Sequence, residues 1–480
     1  MWLRLFAALL LPCTMQAQIP NSWGDLPKEP ESATKAFSPE LRQQLKQVRD
    51  AALADNYAYQ QLEYLTDSIG PRTEGSAQAE AAVHYLAGEL RSLGLDVHLE
   101  PVTVRQFIRG TDKAELVSYP GQARGTTQKI VVTALGGNSP TPDDGLTAEV
   151  VVVRNFEELQ ELGKDQVAGK IVLFNVVFDK NKAVAGGAFS AYGEAVLYRG
   201  SGAKAAAQFG AVASLVRSIG GAEYRLPHTG WSADSTIPAG AVTAEDADLI
   251  ERLATRGPVR MRLALPTHHG AELQSYNVIG DLKGSEYPEQ VVIVSGHLDS
   301  WDLGTGAIDD GAGVAVAMEA VELIRKLRLQ PKRSIRVIAW MNEEQGATGR
   351  EAYSKDYASE ITNHVAAIES DSGAEHPLGF DAKISDAAKT ELSPVAGILS
   401  TFGANLIQQV TNSPGTDIEL IAEKGVPAFG IRQSGLTYFN YHHTAADTLD
   451  KVNPEQLREN AACMAVMGYA LASMPEPLPK

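Results

Sequence analysis

A glycine-rich stretch, SGHLDSWDLGTGAIDDGAG at residues 295–313, places one histidine and four aspartates between two apolar runs. Runs of that kind form core strands or core helices, where clustered carboxylates repel one another and are costly to ionise together. Carboxylates with a few histidines suit Zn²⁺ or a similar divalent ion. An isolated His-x-Asp pair, however, is most often part of a solvated loop. The stretch alone therefore fits both a surface loop and one half of a metal site.

Three further apolar runs are followed by the same residue types. Glu343 and Glu344 follow IRVIAWMN, Asp371 follows VAAIES, and His442 and His443 lie shortly after VPAFGIRQ. Because ligands of open α/β sheets bind beyond the carboxyl ends of the strands, these segments should meet at one edge. Two metal ions roughly 3.5–4 Å apart are a known arrangement for hydrolysis. We therefore expect a metal-dependent hydrolase in which one adjacent glutamate binds metal and the other accepts a proton from the attacking water.

The elements that must position these residues alternate between strands and helices after residue 270. Continuous apolar runs such as QVVIVSG and SIRVIAWM are typical of buried parallel strands. Apolar residues at helical spacing predict helices near 311–328, 393–410 and 454–473. The expected fold class is α/β, with a mixed, mostly parallel sheet flanked by helices on both faces.

Changes in composition divide the chain into five segments. The N-terminal segment has one arginine, a short apolar region and a small-residue site, which predicts a secretory signal cut after Ala17. A lipoprotein anchor at Cys13 is the alternative, but the preceding proline fits it poorly. The expected segments are a signal peptide (1–17), a disordered lead-in (18–37), a first catalytic segment (38–119), an inserted α+β domain (120–270) and a second catalytic segment (271–480).

Bulk composition excludes several classes of protein. The 480 residues are 44% hydrophobic with a formal net charge of −17, which is globular composition and makes nucleic acid an unfavourable partner. No apolar run in the body of the chain is long enough to span a membrane. After removal of the signal peptide Cys463 is the sole cysteine, so no internal disulfide is expected.

The ordered motifs GHLDSWDLGTGAIDDGAG, NEEQGATG, ESDSG and YHHTAADTLDKV resemble the co-catalytic zinc aminopeptidase family that includes the glutamate carboxypeptidases. LTDSIGPRTEGS matches the family's flanking pattern, and the likeness extends over most of residues 60–470. The insert, with GKIVLFN and IPAGAVTAEDADLIERL, resembles a protease-associated domain. The resemblance implies an exported, periplasmic or extracellular, two-zinc exopeptidase that acts on dipeptides or short peptides as a homodimer.

The resemblance also implies roles for individual residues. Two terminal histidines, a bridging aspartate and one further carboxylate per ion would bind two zinc ions: His297, His443, Asp309, Glu344 and Asp371. Glu343 would be the general base and later the general acid, and Asp299 would orient the His297 imidazole.

His442 stands where several relatives have a tyrosine that polarises the substrate carbonyl. His442, Tyr438 and Tyr441 are all candidates for that role, and we favour His442. Arg432 and Ser434 lie beside this segment, where the arginine could hold a substrate carboxylate or form a structural salt bridge.

Other acids and histidines have simpler interpretations. Asp302 is not expected to bind metal, and Asp310 is expected to cap the following helix. His268 and His269 have no acidic companions in sequence and should lie on the surface. His228 belongs to the insert and could line the substrate cleft.

Two other functional classes remain open from the sequence. A glutaminyl cyclase-like enzyme shares this fold but uses a single zinc for an intramolecular transfer. A non-catalytic, ectodomain-like binding protein would lack some of the ligands. The peptide end that is recognised is not fixed by the ligand residues, because aminopeptidases and C-terminal-acting enzymes of the family share them.

Overall fold

The structure, a computed structural model, describes residues 31–479. The signal peptide expected at 1–17 lies outside the described residues. The prediction that the lead-in is disordered as far as residue 37 is wrong at its end, because residues 31–36 form a helix. Ala33 and Phe37 are buried there, so this segment has an apolar anchor that its polar composition hid.

Eighteen strands lie within residues 31–479. In chain order they are β1 (Asp96–Ile108), β2 (Lys113–Ser118), β3 (Gln128–Ile130), β4 (Val132–Ala134), β5 (Gly136–Asn138), β6 (Leu146–Val153), β7 (Ile171–Phe174), β8 (Ala213–Arg217), β9 (Trp231–Ser235), β10 (Ala239–Val242), β11 (Arg260–Ala264), β12 (His268–Leu282), β13 (Tyr287–His297), β14 (Arg333–Trp340), β15 (His364–Glu369), β16 (Pro377–Lys383), β17 (Leu406–Gln409) and β18 (Ala428–Gln433).

The helices surround two larger sheets. Those among residues 31–479 are α1 (Glu31–Ala36), α2 (Pro39–Ala54), α3 (Tyr57–Glu63), α4 (Ala77–Ser92), α5 (Phe156–Val167), α6 (Lys180–Lys182), α7 (Ala188–Gln208), α8 (Ala244–Ala254), α9 (Ala312–Lys326), α10 (Thr348–Asp356), α11 (Asp386–Glu391), α12 (Ser393–Leu399), α13 (Glu419–Glu423), α14 (Tyr438–Tyr441) and α15 (Pro454–Ser473). None of these helices is long and apolar enough to cross a membrane.

The central sheet has the strand order β1-β12-β14-β13-β15-β18-β16-β17. Its middle four strands, β14, β13, β15 and β18, are parallel neighbours, whereas β1, β12 and β16 make the antiparallel pairs. Every residue of β14 is buried, as expected for a strand covered on both faces. The predicted mixed, mostly parallel α/β sheet is confirmed.

Helices α9 and α15 form one covering layer of this sheet and pack against each other. Both helices are buried over most of their length, and the Cys463 thiol in α15 is fully buried, which raises its pKa. The expected helix at 393–410 is wrong beyond residue 402. Gly403 adopts a left-handed backbone (φ 89°), which ends the helical segment, and the chain continues as β17 beside β16.

The second sheet is built from the region of the insert and has the order β3-β2-β11-β6-β7-β8-β10-β4. Strand β2 lies before residue 120, yet it pairs with β11 and β3 of this sheet. Strand β12 begins at His268 and belongs to the central sheet. The expected domain boundaries at residues 120 and 270 therefore each lie a few residues from the point at which the chain passes from one sheet to the other. His268 is exposed as predicted, and His269 is half-buried.

Candidate active site

The carboxyl ends of the central parallel strands bring together acids and histidines from distant parts of the chain. His297 is the last residue of β13, and its Nε2 lies 3.3 Å from Asp309 Oδ1 and 3.5 Å from Asp371 Oδ1. Asp371 follows β15, the parallel neighbour of β13. His297, Asp309 and Asp371 thus form one group of side chains that could hold a metal ion.

The second carboxylate oxygen of Asp309 belongs to a different group. Asp309 Oδ2 lies 3.1 Å from His443 Nε2, and the same nitrogen lies 3.1 Å from Glu344 Oε2. Asp309, Glu344 and His443 are all buried and could together hold a second ion. Asp309 is therefore shared by both groups, one oxygen facing each.

Burial is the largest single influence on the pKa of each of these carboxylates. It raises the pKa of Asp371 and of Glu344 above the usual range, although nearby imidazoles work in the other direction. Burial also acts to raise the pKa of Asp309, but three histidines outweigh it and hold that pKa well below the usual value. Negative charge at this depth requires positive partners.

The donor set fits zinc. Each group offers one imidazole nitrogen and two carboxylates, which is a ligand chemistry that Zn²⁺ accepts. Glu344 Oε1 is buried without a hydrogen-bond partner in the described part of the chain, so it retains lone pairs for a metal ion. A cavity beside the second group is lined by Trp301, Gly304, Asp309, Glu344, His443, Thr444 and Asp447.

Two residues outside the metal-binding groups hold the 295–313 stretch in place. The buried Arg72 guanidinium donates to the carbonyl oxygens of Leu298, Thr305 and Gly306 at 2.7–2.8 Å. Asp447 Oδ1 accepts hydrogen bonds from the backbone N–H groups of residues 307 and 308. The expected solvated-loop alternative is therefore wrong, because this stretch is buried and fixed from both sides.

Asp299 acts differently from the sequence prediction. The His297 ring is oriented by the backbone carbonyl of Asp299, which lies 3.0 Å from Nδ1, whereas the carboxylate lies 3.9 Å from that nitrogen. The Asp299 carboxylate instead accepts the backbone N–H groups of Asn342, Glu343 and Glu344 at 2.7–3.1 Å. It thereby positions the turn that carries both glutamates.

Glu343 lies in this turn, next to the second group. Its side chain is half-buried, and burial raises its pKa well above the usual range, with Asp371 and Glu344 acting in the same direction. Asn342 before it has a left-handed backbone (φ 72°). The backbone of the turn is thus held by Asp299 at both glutamates.

The two aspartates predicted not to bind metal have other partners. Asp310 Oδ1 accepts the N–H of Gly313 in the first turn of α9, as the predicted cap requires, and Oδ2 accepts the N–H of His297. Asp302 makes a bidentate ion pair with Arg109, both contacts at 2.6 Å. That arginine also donates to the side chain of Thr133, so it ties the stretch to the second sheet.

Of the three expected substrate-binding residues, Arg432 and Ser434 have other partners, whereas Tyr438 lies near the metal-binding groups. Arg432 pairs with Asp381 of the adjacent strand at 2.8 Å, which is the structural salt bridge. The Ser434 hydroxyl is bonded to Glu375. Tyr438 is buried and packs against His442, with the two ring centroids 4.9 Å apart.

Sequence reasoning missed several residues that contact the site. Arg72 lay in the flanking motif LTDSIGPRTEGS without an assigned role, and its neighbour Glu74 accepts a hydrogen bond from Gln345. The Trp301 indole N–H donates to Glu344. A buried charge or an indole inside a ligand motif is a signal that could have indicated these roles.

The parallel sheet and the two groups that share an aspartate define a metal-dependent hydrolase. The model of peptidase family M28 matches residues 277–467. Carboxypeptidase Q of Bos taurus is 37% identical over 435 residues, covering 89% of this chain and 88% of that protein. Carboxypeptidase Q of Homo sapiens is 36% identical with the same coverage.

Solved structures agree with these matches. A peptidase M28 precursor from Shewanella amazonensis superposes with a TM-score of 0.86 at 36% identity, covering 92% of this chain and 98% of that one. The zinc aminopeptidase BSAP of Bacillus subtilis shares the fold, with a TM-score of 0.62 at 20% identity over 86% of this chain and 93% of that one. This chain belongs to peptidase family M28 and is a zinc-dependent exopeptidase.

Replacing Asp299 with asparagine should weaken zinc binding. The amide has one carbonyl oxygen, so the N–H of Glu344 would face an NH₂ group where Asp299 Oδ2 now accepts it. We expect zinc affinity to fall about 10- to 100-fold, measured by competition with a chromophoric chelator. Asp302→Asn is the matched control, because that carboxylate pairs with Arg109 and should leave zinc affinity unchanged. Equal zinc affinity in Asp299→Asn and the wild type would contradict the positioning role.

Proposed function

We propose that this chain is an exported exopeptidase that uses two zinc ions to hydrolyse dipeptides or other short peptides. The observation that carries the proposal is the division of Asp309 between two groups of ligands, 3.3 Å from His297 on one side and 3.1 Å from His443 on the other. The motif order and the similarity to carboxypeptidase Q along 89% of the chain support the peptide substrate.

In this proposal one ion is held by His297, Asp309 and Asp371, and the other by Asp309, Glu344 and His443. Bound zinc would supply Lewis acidity to the scissile carbonyl and acidify the attacking water. The chain's own task is to hold five ligands in fixed positions, which the buried strand ends and the Asp299 hydrogen bonds favour.

Glu343 is proposed to move the proton. Its carboxylate accepts a proton from the attacking water and then delivers it to the leaving amine. The residue is suited to this role because it neighbours the ligand Glu344 on a turn whose backbone is fixed by Asp299. Its side chain is half-buried, whereas that of Glu344 is buried among the ligands.

His442 is proposed to contact the carbonyl oxygen of the substrate. Its Nε2 lies 3.3 Å from Asp309 Oδ2, so the ring edge faces the shared ligand. The Lys451 ammonium lies 5.5 Å from the ring centroid of Tyr441. Tyr438 is buried and packs against the His442 ring. The Lys451 contact engages Tyr441 elsewhere, and we retain His442 because its Nε2 lies beside the shared ligand. Contact with a carbonyl oxygen requires a proton on Nε2.

The two alternative functions are less well supported. A single-zinc cyclase needs one of the two ligand groups, and both are present around Asp309. A binding protein without activity would have no use for Glu343 beside an intact ligand set. We therefore retain the peptidase as the one proposed function.

The Glu343→Gln variant should retain zinc and lose activity. Glutamine keeps the shape of the side chain but cannot accept a proton, so kcat should fall about a hundredfold to ten-thousandfold. Zinc content, measured by mass spectrometry of the metal, should remain at two ions per chain. Glu351→Gln on the exposed face of α10 is the control. Near-full activity of Glu343→Gln would contradict the proton-transfer role.

The recognised peptide end can be tested with one dipeptide in three forms. We expect hydrolysis of the free form alone, because a dipeptidase reads both termini, and no hydrolysis after chelation of zinc. Product amino acids are measured by chromatography for the free, N-acetylated and C-amidated dipeptides. Cleavage of the amidated form as well would make the enzyme an aminopeptidase. If the zinc-loaded protein leaves all three forms intact, the peptidase proposal fails for this substrate class.

The proposed export and homodimer can be tested together. Expressed in a secreting host, the chain should lack residues 1–17 by intact-mass measurement, and light scattering should give twice the chain mass. A retained N-terminus would contradict the signal peptide, and a single-chain mass would contradict the dimer.

A further inference from the structure

One buried histidine of the insert directly contacts the proposed active site. His228 lies between β8 and β9 and is 2% exposed. The loop that carries it crosses to the segment of the last ligand, where the N–H of Thr229 donates to the carbonyl oxygen of His443 at 3.0 Å. Gly221 makes a similar bond to Phe439, 3.1 Å long. The insert is therefore fastened to this segment by backbone hydrogen bonds on both sides of His228.

The imidazole of His228 connects a backbone carbonyl to His442. Its Nδ1 is bonded to the carbonyl oxygen of Ile219, and its Nε2 lies 3.2 Å from His442 Nδ1. A carbonyl oxygen only accepts hydrogen bonds, so Nδ1 of His228 carries the proton. His228 Nε2 and His442 Nδ1 share one proton, and this hydrogen bond joins the two rings.

Ring contacts leave the orientation of His442 to this hydrogen bond. The ring stacks on His443 with centroids 3.6 Å apart and an angle of 17°. The rings of Tyr192 and His228 meet it edge-on, at 5.3 Å and 5.1 Å. Stacking fixes the plane of the ring but not which nitrogen faces which side. The bond to His228 decides that Nδ1 faces the insert and Nε2 faces Asp309.

We propose that His228 is a positioning residue for the hydrolysis reaction, which holds His442 with Nε2 toward the substrate carbonyl. The proposal rests on the role of His442 in the proposed function. It rests on the orientation of the ring, because the bond between His228 Nε2 and His442 Nδ1 turns Nε2 of His442 toward Asp309, whichever of the two bonded nitrogens carries the proton. The insert thus supplies part of the machinery that the central sheet alone lacks.

The experiment compares three variants of the full chain loaded with zinc. His228→Leu removes the hydrogen bond to His442. His228→Gln can keep such a bond, because its side-chain oxygen can accept from His442 while its NH₂ donates to the carbonyl oxygen of Ile219. Ser218→Ala is the control, since it removes the 3.0 Å bond to the N–H of His228 without touching the imidazole pair. Zinc content and the urea midpoint of unfolding are measured for each variant.

His228→Leu should lower kcat about 10- to 100-fold with KM and zinc content little changed. His228→Gln should recover most of kcat, and Ser218→Ala should behave as the wild type. Full activity of the leucine variant would overturn the proposal, and so would an equal loss in the glutamine variant. If His228→Leu does not fold, His228→Ala replaces it in the same comparison.

A spectroscopic measurement tests the contact without activity. In protein labelled with ¹⁵N-histidine, the proton in the hydrogen bond between His228 and His442 should give a downfield signal. We expect the signal in the wild type and in His228→Gln, and its loss in His228→Leu and in His442→Gln. Its absence from the wild type would overturn the positioning role. If the wild type cleaves no peptide, the proposed function fails while this signal still decides the contact.

Discussion

The arrangement of the site depends on one electrostatic constraint, namely that several carboxylates lie buried within a few ångströms of one another. Asp309 contacts histidines on two sides, and Glu344 and Asp371 each approach one of those histidines at 3.1–3.5 Å. The two imidazoles of the ligand groups cannot balance their three carboxylates, and burial amplifies the cost of the remaining charge. Divalent cations resolve the imbalance, which is why the same residues that destabilise an isolated core favour zinc.

Such a group of charges is stable only if its scaffold cannot relax. The parallel strands β14, β13 and β15 supply rigid ends, and Arg72 and Asp447 fix the connecting stretch through backbone groups. Asp299 extends the same principle to the glutamate turn. Hydrogen bonds between the backbone and buried charged side chains thus hold the carboxylates in place, because no solvent is needed to satisfy those charges.

The sequence predicted the parallel core and the strand-end residues because both depend on local information, an apolar run followed directly by acids. It failed where the decisive partner is distant. The carboxylate of Asp299 binds a turn some forty residues further on, and Arg432 pairs with Asp381 of a strand that was not expected. The helix expected through residue 410 ended at Gly403, where tertiary pairing of β17 overrides helical spacing. Local sequence patterns predict which residues are ligands, but they do not predict which distant groups orient those ligands.

The insert illustrates how far that distinction extends. Composition marks it as a separate unit, and its sheet has its own core, yet Arg109 joins Asp302 to Thr133 and the Thr229 backbone meets His443. A domain that merely covered the cleft would need only surface contacts with the central sheet. Here the contacts are buried and include the backbone of a proposed zinc ligand. A change in the insert that shifts this segment therefore also moves His442 and His443, so the insert and the proposed site are physically coupled.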